Sequence, residues 1–355
     1  KVSDECGNEL TDQTIVHSGS DQTAPTGTAP EGTTGINACY VDAITPPDGT
    51  PAFDAEAAAA GYTDNCGGAV TATLTNTQVT GDDCAWTVTY TFKVSDECGN
   101  ELTDQTIVHS GSDQTAPTGT APEGTTGIDA CYVDAVTLPA GTPAFDPVTA
   151  AAGYSDNCGG TVTATLINTE VTGNDCAWTV TYTFKVSDEC GNELTGQTIV
   201  HSGSNQTAPT GTAPEGTTGI DACYVDAVTP PAGTPAFDAE AAAAGYTDNC
   251  GGAVTAVLTG TAVTGDNCGW TVTYTFTVTD ICGNELTDQT IMHSGSNQTA
   301  PTGTAPEGTT GIDACYVDAV TPPDGTPAFD AVVAAAGYTD NCGGTVTATL
   351  TNTQV

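Results

Sequence analysis

Fifteen cysteines, four histidines and many carboxylates are the residues of this chain that could do chemistry. The cysteines come first, because their spacing separates two chemistries. Cys6, Cys39, Cys66, Cys84 and Cys98 are separated by gaps of 33, 27, 18 and 14 residues, and no C-x-x-C pair occurs anywhere. A zinc site usually draws two ligands from one tight turn, so scattered cysteines at four per unit read as two structural disulfides per unit. Disulfides imply an oxidising compartment, extracellular or periplasmic.

The other reactive groups do not assemble into a catalytic set. His17, His109, His201 and His293 occupy one equivalent position, and no unit supplies a second histidine or a nucleophile motif near it. Paired carboxylates such as Asp82 and Asp83 sit in glycine-flanked turns and become Asn174 and Asn267 in later copies. A general acid or base needs a fixed chemical identity, so the expectation is no enzyme. Oxygen-rich loops can instead hold calcium. The candidate ligands are Asp156 and Asn157 in one loop with Glu189, Asn192 and Glu193 in a hairpin expected at the same end, and Asp113 as an addition from the linker. The competing reading is a set of solvated acidic loops, since no D-x-D-x-D-G run exists and the linker acid becomes Asn205 and Asn297. No other cofactor is expected. The N-Q-T triplets at those two asparagines match a glycosylation pattern by chance.

The elements that position these residues repeat. "KVSDECGNELT" stands at Lys1, Lys93 and Lys185, with a worn copy, "TVTDICGNELT", at Thr277, and "GTAPEGTTGI" begins at Gly27, Gly119, Gly211 and Gly303 with its register unbroken. The 92-residue period exceeds that of solenoid repeats and suits a small domain with its own core. Three lysines, no arginine and 44 acidic residues give a formal charge of −41, which excludes nucleic acid and anionic membrane surfaces as partners. No apolar run is long enough to span a bilayer. "AWTVTYTFKVSD" puts Trp86, Val88, Tyr90, Phe92 and Val94 on one face, the alternation of a half-buried strand. "ECGNEL" carries a hairpin turn signal and "TDQTIVHS" resumes the β-rich pattern. Two more strands are expected in "AVTATLTNTQVT", through Val70, Ala72 and Leu74, and in "GINACYVDAIT". One short helix is expected at "FDPVTAAAGY", with Asp146 as N-cap, Pro147 at its first position and Gly153 closing it. These elements predict an all-β fold of tandem immunoglobulin-like sandwiches, each with one Ala-rich helix. The Gly/Pro/Ser/Thr stretch "SGSDQTAPTGTAPEGT" reads as the linker. Residues 1–21 then close a preceding repeat cut from a longer chain, 22–113, 114–205 and 206–297 are complete repeats, and 298–355 is a truncated one.

The combination of "TAPT", "DNCGG", "DCAWTVTYTFKVSDECGN" and "QTIV" resembles the HYR-like, immunoglobulin-type modules of very long Bacteroidetes cell-surface proteins, including SprB-type gliding-motility adhesins. The resemblance covers every unit. It implies an extracellular, cell-surface stalk exported by type IX secretion. The resulting expectation is a structural spacer that carries a distant binding region away from the cell, with neighbouring repeats as its partners. The alternative is a multivalent module gripping surface polysaccharide or calcium; an exposed aromatic in each unit would favour it.

Four cysteines allow three connectivities. In such a sandwich the "DNC" loop and the "DECGN" turn lie at one end, which predicts Cys66–Cys98, Cys158–Cys190 and Cys250–Cys282. Cys39–Cys84, Cys131–Cys176 and Cys223–Cys268 then form towards the other end. Every bond stays inside one repeat, and Cys6, Cys315 and Cys342 are left unpaired.

Overall fold

A computed structural model describes all residues, 1–355. The fold is all-β, with tandem immunoglobulin-like sandwiches and four five-residue helices. The chain divides into two compact units: residues 1–125, 143–170 and 180–201 form one, and 126–142, 171–179 and 202–355 form the other, so the boundary falls inside the second repeat.

In the first unit the strand Ala85–Ser95 is central. Trp86, Val88, Tyr90, Phe92 and Val94 are each no more than 4% exposed, so the period-two pattern of the sequence is the burial pattern of the strand. Thr71–Asp82 and Glu101–Ser112 flank it, both antiparallel, and the two-residue strand Ile36–Asn37 adds to the latter in parallel. A second sheet pairs Thr26–Gly27 with Tyr62–Thr63. The expected strand through "GINACYVDAIT" is thus only two residues long. In Thr71–Asp82 both Ala72 and Val79 are buried although their numbers differ by seven, which strict alternation forbids. A register shift between Leu74 and Asn76 supplies the extra residue that returns Val79 to the core, and it leaves Leu74 39% exposed.

The helix Ala55–Ala59 packs on this core. Asp54 caps it, accepting from the backbone N–H groups of Glu56 and Ala57, and Ala58 and Ala59 lie against Ala72, Phe92 and Val94. Alanine suits this contact because a larger side chain would lift the helix off the sheet. Phe53 touches both this cluster and the one around Trp86, Val88 and Tyr90. In the second repeat Asp146 caps Pro147–Ala151 and Ala152 is its C-cap, so Gly153 lies just past the helix end. Its role is close approach: a Cβ there would stand 2.2 Å from the Thr120 carbonyl oxygen.

In the second unit the third repeat follows the same plan. Gly269–Thr279 is the central strand, flanked antiparallel by Thr255–Asp266 and Glu285–Ser296, with Ile220–Asp221 parallel to the last. The Ala242, Ala243, Tyr246, Phe276 and Val278 cluster repeats the helix contact.

His109 is buried within this architecture, 6% exposed. It accepts the Thr33 backbone N–H at Nδ1 (2.9 Å) and packs edge-on to Tyr90. His201 and His293 repeat the arrangement. Burial pushes all three below the ordinary histidine value. A folded value below the unfolded one means that the unfolded chain binds protons first as pH falls. The stabilisation is therefore fully present above the unfolded value of about 6.5, and it is lost as pH falls from there through the folded value. The melting midpoint should fall between about pH 7 and pH 5.5, a window in which ordinary carboxylates stay ionised. A His109→Gln, His201→Gln, His293→Gln variant, melted over the same range, should show a flat midpoint.

Candidate functional site at the repeat junctions

Each hairpin turn between the last two strands of a repeat is closed by an aspartate and an asparagine. Asp96 Oδ1 accepts the Asn100 backbone N–H (2.8 Å) and Oδ2 accepts its side-chain amide (2.7 Å), while Gly99 takes the positive φ that the turn requires. Asp188 with Asn192 and Asp280 with Asn284 repeat this clasp. Burial opposes the charge of Asp188, but the hydrogen bonds from Asn192 and the turn outweigh it and hold the carboxyl below its ordinary value. The "DNC" loop shares this end of the repeat: Thr161 N–H donates to Glu189 Oε1 at 3.1 Å. Cys39 and Cys84 belong to the other end, where the Tyr40 backbone N–H donates to Asp83 Oδ1 at 2.8 Å.

The cysteines therefore share ends as the sequence predicts, but the pairing does not follow. Five bonds form: Cys39–Cys158, Cys84–Cys190, Cys131–Cys250, Cys176–Cys282 and Cys223–Cys342. Every one runs from a repeat to the next, across the linker. The expected bonds Cys66–Cys98, Cys158–Cys190, Cys250–Cys282, Cys39–Cys84, Cys131–Cys176 and Cys223–Cys268 are all absent. The physical reason is that the end carrying Cys39 and Cys84 faces the end carrying Cys158 and Cys190, and each thiol meets its opposite rather than its neighbour. Cys66, Cys98 and Cys268 are free, as are Cys6 and Cys315, whereas Cys342, expected to be unpaired, is bonded to Cys223.

Polar groups fill the junction around these bonds. Between the first and second repeats Asp113, Asp156, Asn157, Asp188 and Asn192 converge. Asn157 Nδ2 donates to Asp113 Oδ1 (3.1 Å), and Asn192 Nδ2 donates to the Asp113 carbonyl oxygen (3.2 Å) and to Asp188 Oδ2 (2.8 Å). Of the five residues read as calcium ligands, Asp156, Asn157 and Asn192 lie here. The other two are engaged elsewhere: Glu189 holds the Thr161 N–H and Glu193 pairs with Lys185. The sequence reading missed Asp188 and its clasp, although the D-x-x-x-N spacing within the repeated "DECGN" phrase signals it. Asn205, in an N-Q-T triplet, is 3% exposed and its side-chain amide is fully engaged, so it offers no room for a glycan. Trp86, Trp178 and Trp270 are buried, each donating its indole N–H to a backbone carbonyl.

No family model matches this chain, and no curated protein does. Among solved structures, the crystal structure of Drosophila N-cadherin EC1-4 aligns over 78% of this chain and 76% of that chain, at 9% identity and a TM-score of 0.27. The immunoglobulin-like description rests on the strand order and registers given above. No helix is long and apolar enough to cross a membrane.

The connectivity is directly testable. Protease digestion of the oxidised chain without reductant, followed by mass spectrometry, should give linked peptides containing Cys39 with Cys158 and Cys84 with Cys190. Recovery of Cys158 linked to Cys190 would contradict it. The bonds join cysteines 106 or 119 residues apart, and the chain-entropy account values the closure of such loops at about 4–5 kcal/mol each. Full reduction should therefore lower the denaturation midpoint markedly.

Proposed function

We propose that this chain is a spacer segment of an extracellular surface adhesin or filament, built from 92-residue beads at 22–113, 114–205 and 206–297, that holds a distal binding region away from the cell. The observation that carries this reading is the covalent route through the repeats. The second repeat is bonded to the first through Cys158 and Cys190 and to the third through Cys131 and Cys176, and between Cys176 and Cys190 lies the strand Ala177–Ser187. Tension entering at one bond leaves at the other through a strand that is already extended at about 3.3 Å per residue. The bonds thus bypass most of each repeat, and each of these two junctions is crossed by two of them in parallel, one from the hairpin turn and one from the "DNC" loop.

A spacer under tension benefits from this arrangement because its length is fixed covalently. The strong negative charge keeps such a surface soluble and resists sticking between copies. Trp86, Trp178 and Trp270 are buried and unavailable to grip carbohydrate, and His109, His201 and His293 lie in the cores. Surface attachment, gliding motility and type IX export belong to this proposal through the HYR-like motifs.

Single-molecule stretching tests it. Without disulfides, an unfolded 92-residue repeat gains up to roughly 300 Å of contour length. Tethered at its two termini, the oxidised chain should show no step of that size, and adding a reductant should bring such steps in. Steps of about 300 Å in the oxidised chain would remove the mechanical basis of the reading.

A further inference from the structure

The linker position held by Asp21 and Asp113 in two junctions is held by Asn205 and Asn297 in the next two. At the Asn205 junction that residue is 3% exposed, and its amide nitrogen donates to Asp248 Oδ1 at 2.9 Å and to Asp280 Oδ2 at 3.1 Å. One donor group thus joins a carboxylate of the "DNC" loop to a carboxylate of the hairpin clasp. At Asn297 the same amide donates to Asp340 Oδ1 at 2.8 Å.

At Asp113 that donor is missing. Asp113 is also 3% exposed, and a carboxylate oxygen of Asp113 lies within 4.8 Å of one of Asp156. Asp156 Oδ1, the counterpart of Asp248 Oδ1, is buried and has no hydrogen-bond partner. Asp64 Oδ1, beside Asp21, is in the same condition. Asp113 Oδ1 accepts from the Thr115 N–H (3.2 Å) and Asn157 Nδ2 (3.1 Å), and its Oδ2 has a long contact to Asn192 Nδ2 (3.4 Å). Asp188, the counterpart of Asp280, stands on the other side of Asn192. Aspartate and asparagine have nearly the same shape, so the two kinds of junction differ mainly in charge. Replacing an amide NH₂ by an oxygen removes a donor from between two carboxylates and adds a third carboxylate. Buried like charges of this kind are costly unless a cation joins them.

We propose that the aspartate junctions bind a divalent cation of the calcium class, held by Asp113, Asp156 and Asp188 and, in the preceding junction, by Asp21, Asp64 and Asp96. In the asparagine junctions the amide donor takes the place of the cation. Calcium suits the donor set, which consists of hard carboxylate oxygens without imidazole or thiolate. The sulfurs of Cys39 and Cys158 are bonded to each other and offer no thiolate. Cys66 is free beside Asp21 and Asp64, and a hard cation prefers their carboxylate oxygens to its sulfur. This inference does not depend on the spacer reading, and its failure would leave that reading intact.

Calorimetric titration of calcium chloride into the oxidised full chain, freed of metal by chelator and held in about 0.15 M sodium chloride to screen its surface charge, tests the assignment. The native chain should show two saturable sites with dissociation constants on the order of 10⁻⁴ M, as in extracellular modules. Asp113→Asn should lose one site, Asp21→Asn with Asp113→Asn should lose both, and Asn205→Asp should gain one. Each substitution installs the residue that a sister junction already carries, and circular dichroism confirms the strand content of each variant. Absence of saturable binding in the native chain, or an isotherm that the double variant leaves unchanged, overturns the proposal.

Discussion

The structure depends on the placement of a cysteine at each end of one buried strand. The strand Ala177–Ser187 alternates core and cover so strictly that it must be central, and a central strand spans its sandwich from end to end. Cys176 and Cys190 are therefore delivered to opposite ends. Each bonds to a different neighbour, Cys176 to Cys282 of the third repeat and Cys190 to Cys84 of the first. Core packing and covalent linkage are thus set by the same run of residues.

The junction chemistry follows from that geometry. Bonds at each junction bring a "DNC" loop, a hairpin clasp and a linker together, and all three carry carboxylates because they are turns, where aspartate and asparagine serve the backbone. Enclosing turn carboxylates at a junction gives them an electrostatic problem they would not have in water. The linker residue decides how that problem is met, and Asn205 and Asp113 meet it differently.

Much of this was legible in the sequence. The alternation from Trp86 to Val94, the hairpin turn and the capping by Asp146 are local signals, and local structure follows them. The cysteines were placed at the correct ends for the same reason. Their partners were not legible, because spacing inside a repeat says nothing about which ends meet, and a near-perfect repeat makes Cys66 and Cys158 indistinguishable. The short strand at Ile36 and the register shift after Leu74 were also hidden: the first depends on pairing with Glu101–Ser112, and the second on which residues the opposite core can accept. Asp188 escaped notice as a site residue because its role depends on a neighbouring repeat.

Bonds that always join one repeat to the next also bear on how such an array changes over generations. Nearly identical tandem copies are prone to unequal recombination, which adds or deletes whole units. Because every repeat presents the same two cysteines forward and the same two backward, loss or gain of a complete 92-residue unit brings together ends that already match. A deletion of half a unit would strand thiols on both sides of the break. The covalent ladder thus tolerates changes in length only in whole repeats.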